Sequence, residues 1–415
     1  MVNTETGHRM ALNLRTVLAA VVCVSLNCAT SAARKPLKVA FVGDPQVNDS
    51  TEMRYARESV YSELAGRKDI DLGIFLGDLV NDNTALLDES VRIIGSLPFP
   101  CLMIPGNHDR DVYRDGQSGK IRDLASWNRA VGYTDTAFTV GRTRFILMNN
   151  VRRRGGGTAD YEGGFTERQK HWLDSALNVR SRLTVLATHI PFSRMKGQDS
   201  VLALIPDTSK TLLVSGHTHS VARSRTVAGN EIIAGAACGS WWRGVKDANG
   251  IPYALQNCGA PRGYFTADIR KNGKYSLDYK CIGRSADEQL SVWAEKEDSL
   301  TFSLYVNVFG GSQDGTVKIR IPGHGGKPLT CGRCDWTAPE VQKVIEANAS
   351  ASRGYRREHR DEFIPLRRKN SPHLWKSETA DFSGSGVPEY VSVRYSDGAM
   401  KIHCRRIVVN FQKTY

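Results

Sequence analysis

The sequence predicts a layered α/β core, followed by a smaller, mostly-β domain. Three observations carry that expectation. Five short apolar stretches in the first half each run into Asp, Asn or His at their C-terminal end. Helix-length segments with apolar periodicity lie between several of them. From about residue 290 the texture changes to short strands joined by Gly- and Asp-containing turns.

The chain has 415 residues, 40% hydrophobic and 24% charged, which is length for two or three domains. It is too apolar for a disordered chain and too polar for a polytopic membrane protein. It shows neither a collagen period nor self-similarity at a spacing of roughly 20–50 residues. Residues 1–33 read as a cleaved export signal: Arg15 precedes an apolar stretch over 17–26, and small residues follow through Ala33. Ser31 and Ala33 suit a peptidase site, which places the mature start near Arg34; Met10 is an alternative initiator. Lipidation at Cys28 is the lesser alternative, because Asn27 before it fits poorly. The expected location is therefore periplasmic or secreted, with no membrane span in the mature chain. Two further boundaries follow, a first domain over 34–285 and a C-terminal domain over 286–415.

Along the first domain, strand 38–42 ends at Gly43-Asp44 and strand 72–76 at Gly77-Asp78. Strand 101–104 ends at Pro105-Gly106-Asn107-His108-Asp109, 184–187 at Thr188-His189, and 212–214 at Ser215-Gly216-His217-Thr218-His219. Helices are expected over 58–65, 85–97 and 166–177. Strands 231–234 and 263–270 follow, and Lys271-Asn272-Gly273-Lys274 turns the chain into strand 275–282. The polar stretch 283–288 connects to strands 300–309 and 316–321, and 391–395 pairs with 400–404 through Ser396-Asp397-Gly398. Residues 347–370, charged and aperiodic, read as a helix followed by a loop.

A net charge of +13 comes from 56 Lys+Arg against 43 Asp+Glu. Basic charge that serves nucleic acid clusters, whereas here it is spread, with short runs at 152–154, 356–357 and 367–369. Attraction to anionic substrates or anionic cell surfaces accounts for it as well as a nucleic acid does, and a plainly solvated surface better than either. Removing Cys23 and Cys28 with the signal leaves seven of nine cysteines. Cys331-Gly-Arg-Cys334 lacks a second ligand pair for structural zinc, so a local disulfide or two free thiols is expected.

One Gly-Asp after a strand is a turn, and one His after a strand is an ordinary histidine. Five such ends in one chain need another account. In layered α/β folds, ligands bind at the C-terminal edge of the strands. Asp44, Asp78, Asn107, His189, His217 and His219 combine carboxylate, amide oxygen and imidazole. That mixture suits Mn, Fe or Zn better than Ca or Mg, and a carboxylate between two cations makes a natural bridge.

In the order Gly43-Asp44-Pro45-Gln46, Gly77-Asp78, Gly106-Asn107-His108-Asp109, Thr188-His189 and Gly216-His217-Thr218-His219, residues 37–280 resemble the calcineurin-like metallophosphoesterases. Gly239-Ser240-Trp241-Trp242-Arg243-Gly244, Pro261-Arg262-Gly263-Tyr264 and Pro372-His373-Leu374-Trp375 resemble the C-terminal extension of secreted bacterial members. The resemblance implies a four-layer sandwich of two mixed sheets flanked by helices, with two divalent metal ions (Mn, Fe or Zn) at the strand ends. The first metal would take Asp44, His219 and a bridging Asp78; the second would take Asp78, Asn107, His189 and His217. His108 would act on the phosphoryl group and Asp109 would orient it. Gln46 stands where the common pattern has a metal-binding His and is expected at the first metal as a weaker ligand through its amide oxygen, with water as the alternative.

The expected function is hydrolysis of a phosphoester, mono- or diester, by hydroxide activated between two metals. A weak or inactive surface binder of a glycan or other anionic ligand is the alternative, in which Trp241, Trp242 and Trp375 would stack on sugars. Because every expected ligand precedes Val221, the first domain is expected to keep its fold and its metals without residues beyond about 290.

Overall fold

Period-two alternation with both faces buried is what places the strands between layers. In Leu37–Val42, Val39 and Phe41 face one apolar cluster while Ala40 and Val42 face another. Thr143–Met148 does the same with Phe145 and Leu147 on one side and Ile146 and Met148 on the other. The computed structural model describes residues 35–111, 123–154, 160–298, 301–322, 327–381 and 388–411. The signal expected over 1–33, with Cys23 and Cys28, lies outside the described residues.

The first sheet runs Tyr275–Cys281, Gly263–Ile269, Leu37–Val42, Leu72–Phe75, Cys101–Met103. Its last three strands are parallel and its first two antiparallel. The second sheet runs Val221–Thr226, Gly229–Ala234, Thr211–Ser215, Leu183–Thr188, Thr143–Met148, Thr136–Val140. The two sheets share an inner apolar layer. The outer face of the first is covered by helices including Leu87–Gly95, and that of the second by Glu167–Leu177. This is the expected four-layer sandwich.

Several elements differ from the sequence reading, among them the following. The helix expected at 58–65 starts earlier, at Ser50, where the Asp49 carboxylate accepts from the amides of Thr51 and Glu52; it passes through a π-helical turn, Arg57–Tyr61, and ends at Gly66. Thr136–Val140 and Thr143–Met148 form a hairpin that the sequence reading lacks. The first of these is an edge strand, half-buried along most of its length, so its polar–apolar alternation is blurred.

The C-terminal strands close into a barrel: Leu290–Lys296, Lys401–Phe411, Tyr390–Ser396, Thr316–Arg320, Leu329–Arg333, Leu374–Ser377 and Thr301–Val308, which returns to the first. Ala380–Asp381 adds a short pairing to Thr301–Val308. Closure removes exposed edges. Between Leu329–Arg333 and Leu374–Ser377 the chain makes a long excursion containing the helices Pro339–Ser350 and Arg353–Glu358. Among the described residues no helix is long and apolar enough to cross a membrane. All seven described cysteines are free thiols, Cys331 facing the main core and Cys334 a small separate cluster.

Barrel and sandwich share one apolar cluster, which runs from Phe41 and Phe265 through Phe309 to Val393. Gly310 sits so close to the Phe265 ring that a Cβ there would lie 2.8 Å from it. Across the same junction the Arg223 guanidinium forms two bonds to Asp397, at 2.8 and 3.2 Å, and donates to the Gly310 carbonyl at 3.2 Å. Asp397 also accepts from the amides of Ala399 and Met400, each at 2.7 Å. The expectation that the first part folds alone is therefore revised: cutting near 290 would expose the shared core. Breaking a buried pair by removing one partner costs about 3–5 kcal/mol, so Arg223→Ala is expected to lower stability by that order in urea unfolding. A loss below about 1 kcal/mol, the value of a surface pair, would show that the junction rests on apolar contact alone.

Candidate metal centre

Most of the expected ligands, Asn107 and His189 excepted, leave a strand end through backbone that side-chain-bearing residues seldom adopt. Among the described residues, the non-glycine positions with positive φ are Asp44, Gln46, Asp78, Asp82, His217 and His219. All six lie at the strand ends of the expected centre, or contact it. Residues held there cost of order 1–3 kcal/mol each, and such strain gathers at functional sites. The preceding glycines allow the approach. Gly77 has φ +93°, and a Cβ on Gly106 would lie 2.0 Å from Asp78 Oδ1.

The outcome is a convergence of buried acceptors. The His189 Nδ1–H donates to the Leu76 carbonyl at 2.8 Å, which leaves the lone pair of Nε2 pointing inward. That Nε2 lies 3.0 Å from Asn107 Oδ1, 3.2 Å from His217 Nδ1 and 3.3 Å from Asp78 Oδ2. Donor atoms of Asp78, His189 and His217 all fall within 4.8 Å of one another. Lone pairs packed this closely repel unless a positive charge lies among them, and carboxylate, amide oxygen and two imidazoles fit a transition-metal cation. The carbonyl that holds His189 in one tautomer is the support metal-binding histidines commonly have. His219 is held alike, donating from Nδ1 to the Ser240 carbonyl at 2.7 Å.

Asp44 and His219 lie outside that tight group. The Asp44 carboxylate instead accepts the His217 amide, at 2.9 and 3.1 Å. Gln46 is buried, its side chain between Asn81 Oδ1 (3.4 Å from Nε2) and Cys238 Sγ (3.9 Å from Oε1).

The electrostatics show the same demand for positive charge. Burial drives Asp44 well above the usual carboxylate range, with the charge of His189 opposing it. Burial would also raise Asp78, but the charges of His189 and His108 overcome it and hold Asp78 far down. His189 is pushed up to about 9, because Asp78 outweighs the burial that favours its neutral form. Burial and then the charge of His189 hold His217 down at about 3, and burial lowers His219. The buried carboxylates demand positive charge, which a proton on His189 or a metal cation in its place can supply, while His217 and His219 stay neutral and available as ligands.

The role expected for Asp109 is corrected. Its two carboxylate oxygens accept the amides of Val80 at 3.0 Å and Gly106 at 2.8 Å, so it braces two metal-binding turns from inside. The partner of His108 is Asp82, with Oδ1 at 2.8 Å from Nδ1. Asp82 sits in a polar turn, Asn81-Asp82-Asn83, that no motif marks; its left-handed backbone is the signal that identifies it. His108 is anchored by its own amide, which donates to Asp78 Oδ1 at 2.9 Å, and its imidazole is pushed up to about 9: burial opposes this, and Asp78 and Asp82 prevail.

Two aromatic side chains border the centre. Tyr161 packs edge-on against His217 with ring centroids 5.9 Å apart, and Trp241 lies 5.3 Å from the His219 ring. Trp242 is buried and donates to the Pro45 carbonyl at 2.8 Å, and Trp375 is buried in the barrel core. Neither of these two can stack on a sugar as the binding alternative required.

Residues 37–221 match the family model for calcineurin-like phosphoesterase, and residues 231–397 the model for the C terminal of calcineurin-like phosphoesterase. Among solved structures, a purple acid phosphatase from yellow lupin (Lupinus luteus) seeds is similar over 66% of this chain, with 12% identity and a TM-score of 0.37. The match spans about half, 51%, of that phosphatase. Vps29 from Entamoeba histolytica, solved with zinc, is similar over 66% of this chain and 95% of its own, with 13% identity and a TM-score of 0.25. A comparison with curated protein sequences finds no match.

An amide at position 109 could accept only one of the two backbone N–H groups, and would turn its NH2 toward the other. Leaving a buried donor unsatisfied costs about 1–3 kcal/mol, so Asp109→Asn is expected to lose that much stability in urea unfolding together with metal content. Unchanged stability with a fall in kcat alone would restore the orienting role.

Proposed function

This chain belongs to the calcineurin-like phosphoesterase family, and we propose that it hydrolyses phosphoesters at a two-metal centre built on Asp44, Asp78, Asn107, His189, His217 and His219. The observation that carries the reading is the convergence of His189 Nε2, His217 Nδ1, Asp78 Oδ2 and Asn107 Oδ1 within about one coordination sphere. When bound, two divalent cations supply neutralisation of phosphate oxygens and acidification of a water. Asp78 has one oxygen facing His189 and the other fixed by the His108 amide, which suits a bridging role. His108, kept protonated by Asp78 and Asp82, donates a proton to the leaving oxygen or stabilises charge on the phosphoryl group. Asp82 holds the imidazole in place through Nδ1. Export, with cleavage near Arg34, is part of the same proposal and rests on the sequence of residues 1–33.

Metal dependence is the first test. A chelator is expected to abolish turnover of a chromogenic phosphate ester, and Mn, Fe or Zn to restore it; full activity in demetallated protein would refute the proposal. His108→Ala should cut kcat by about 10²–10⁴ and Asp82→Asn by about 10–100-fold, both with metal content unchanged. Loss of metal in His108→Ala would instead make His108 a ligand.

Gln46 sets a second test. An amide oxygen gives up imidazole's affinity for late first-row metals, and here that oxygen faces Cys238 Sγ while the amide nitrogen donates to Asn81 Oδ1. Calorimetric titration is expected to show one tight and one weak equivalent, with the weak one tightened in Gln46→His. Identical isotherms for the two proteins would mean that position 46 does not contact the metal.

A further inference from the structure

The barrel excursion packs against the segments that hold His219. Its Ala338, Val341 and Ile364 pack on Leu255, whose carbonyl accepts the amide of Ser240, the residue that holds His219. The Gly244 amide donates to the Asp361 carbonyl at 2.8 Å, and Arg243 lies 4.0 Å from the Asp361 carboxylate. Trp241, two residues before Arg243, borders His219. The segment carried to this place is strongly basic: 353–369 holds seven Lys+Arg against three Asp+Glu.

Its arginines are also unspent. Arg353, Arg356, Arg357, Arg360, Arg367 and Arg368 are exposed, and none has a carboxylate within ion-pair distance among the described residues. The other basic run differs, with Arg152, Arg153 and Arg154 paired to Glu162, Asp123 and Asp160. An open cleft of about 670 Å³ has Arg353, Gly354, Arg356 and Arg357 as its described lining. Like charges are held together at both ends of the segment: burial and then Arg360 lower Arg243, and desolvation and then Arg194 lower Lys369. Gathering unpaired guanidinium groups costs repulsion, which a multiply charged anion relieves through fork-shaped hydrogen bonds.

We propose that the arginines of 353–369 form an anion-binding rim beside the metal centre, and that the substrate is a small phosphoester carrying further, closely spaced phosphate or sulfate groups. The substrate half of this inference rests on the hydrolytic reading above; the rim itself does not.

The test separates the two. The probe is myo-inositol hexasulfate, which has the charge array but no phosphoester to cleave, titrated calorimetrically into the metal-loaded protein. Saturable binding that weakens as salt rises is expected. R353S/R356S/R357S should weaken it about tenfold or more, since the triple removes three sets of charge-assisted hydrogen-bond donors. R353K/R356K/R357K should retain part of the affinity, and R168S/R180S/R405S, which removes equal charge elsewhere, should retain all of it. No saturable binding, equal loss in the control triple, or binding of a single-stranded DNA oligomer in preference to the hexasulfate would overturn the rim. Hexasulfate binding without turnover of any phosphoester would uphold the rim and overturn the hydrolytic reading alone.

Discussion

Buried negative charge and lone pairs at the strand ends are the constraint on which the rest of this structure depends. Asp44 and Asp78 are fully shielded from solvent, and His189 and Asn107 aim acceptors at the same space. Such a group is tolerable only when positive charge lies among its members, because burying unpaired charge costs far more than a single fold-stabilising contact returns. Parallel strands in both sheets set the acceptors in place, and the glycines before Asp44, Asp78, Asn107 and His217 allow the turns to approach closely.

The strain at this centre follows from the same requirement. A strand ending in ordinary backbone would carry its last side chain on along the sheet. Left-handed conformations at Asp44, Asp78, His217 and His219 turn the chain sharply at the sheet edge. Short hydrogen bonds between the turns hold those conformations: the Gln46 amide to the Asp78 carbonyl at 2.9 Å, the Cys238 amide to the Asp44 carbonyl at 3.1 Å, and Asp109 across Val80 and Gly106. Each links one strand end to another, so the centre is braced by its own turns. The barrel contributes rigidity from behind, through a core continuous with the sandwich.

The strand ends and their ligands were legible because metal binding needs particular side chains immediately after apolar strands, and both halves of that signal are local. Asp82 was not legible, since an Asp between two Asn reads as a turn and its meeting with His108 is made by tertiary structure. Asp109 was misassigned because adjacency in sequence suggested contact with His108, whereas the turn sends the carboxylate inward to two backbone amides. The barrel's β character was readable from its alternation, but its closure was not: Leu290–Lys296 pairs with Lys401–Phe411 across the whole domain, and no local pattern encodes that partnership. The shared core escaped for a related reason. An apolar face declares that it will be covered, and leaves open by what.

The excursion between Leu329–Arg333 and Leu374–Ser377 divides the labour between the two parts of the chain. The sandwich fixes the ligands on strand ends, where small displacements would break the centre. The excursion leaves from the barrel strands and meets the sandwich at Leu255 and at Gly244, on the loop that carries Ser240 and Trp241. Its anchors are apolar, Ala338, Val341 and Ile364 on Leu255, while its charges stay exposed. A segment anchored by one set of side chains can vary the other without disturbing the metal ligands, which is how loops on rigid scaffolds come to carry recognition. At Ser240 a backbone carbonyl, indifferent to side-chain identity, holds His219. Chemistry and recognition therefore meet in this protein at a main-chain hydrogen bond, and the sequence of the excursion is free to set the charge of the rim.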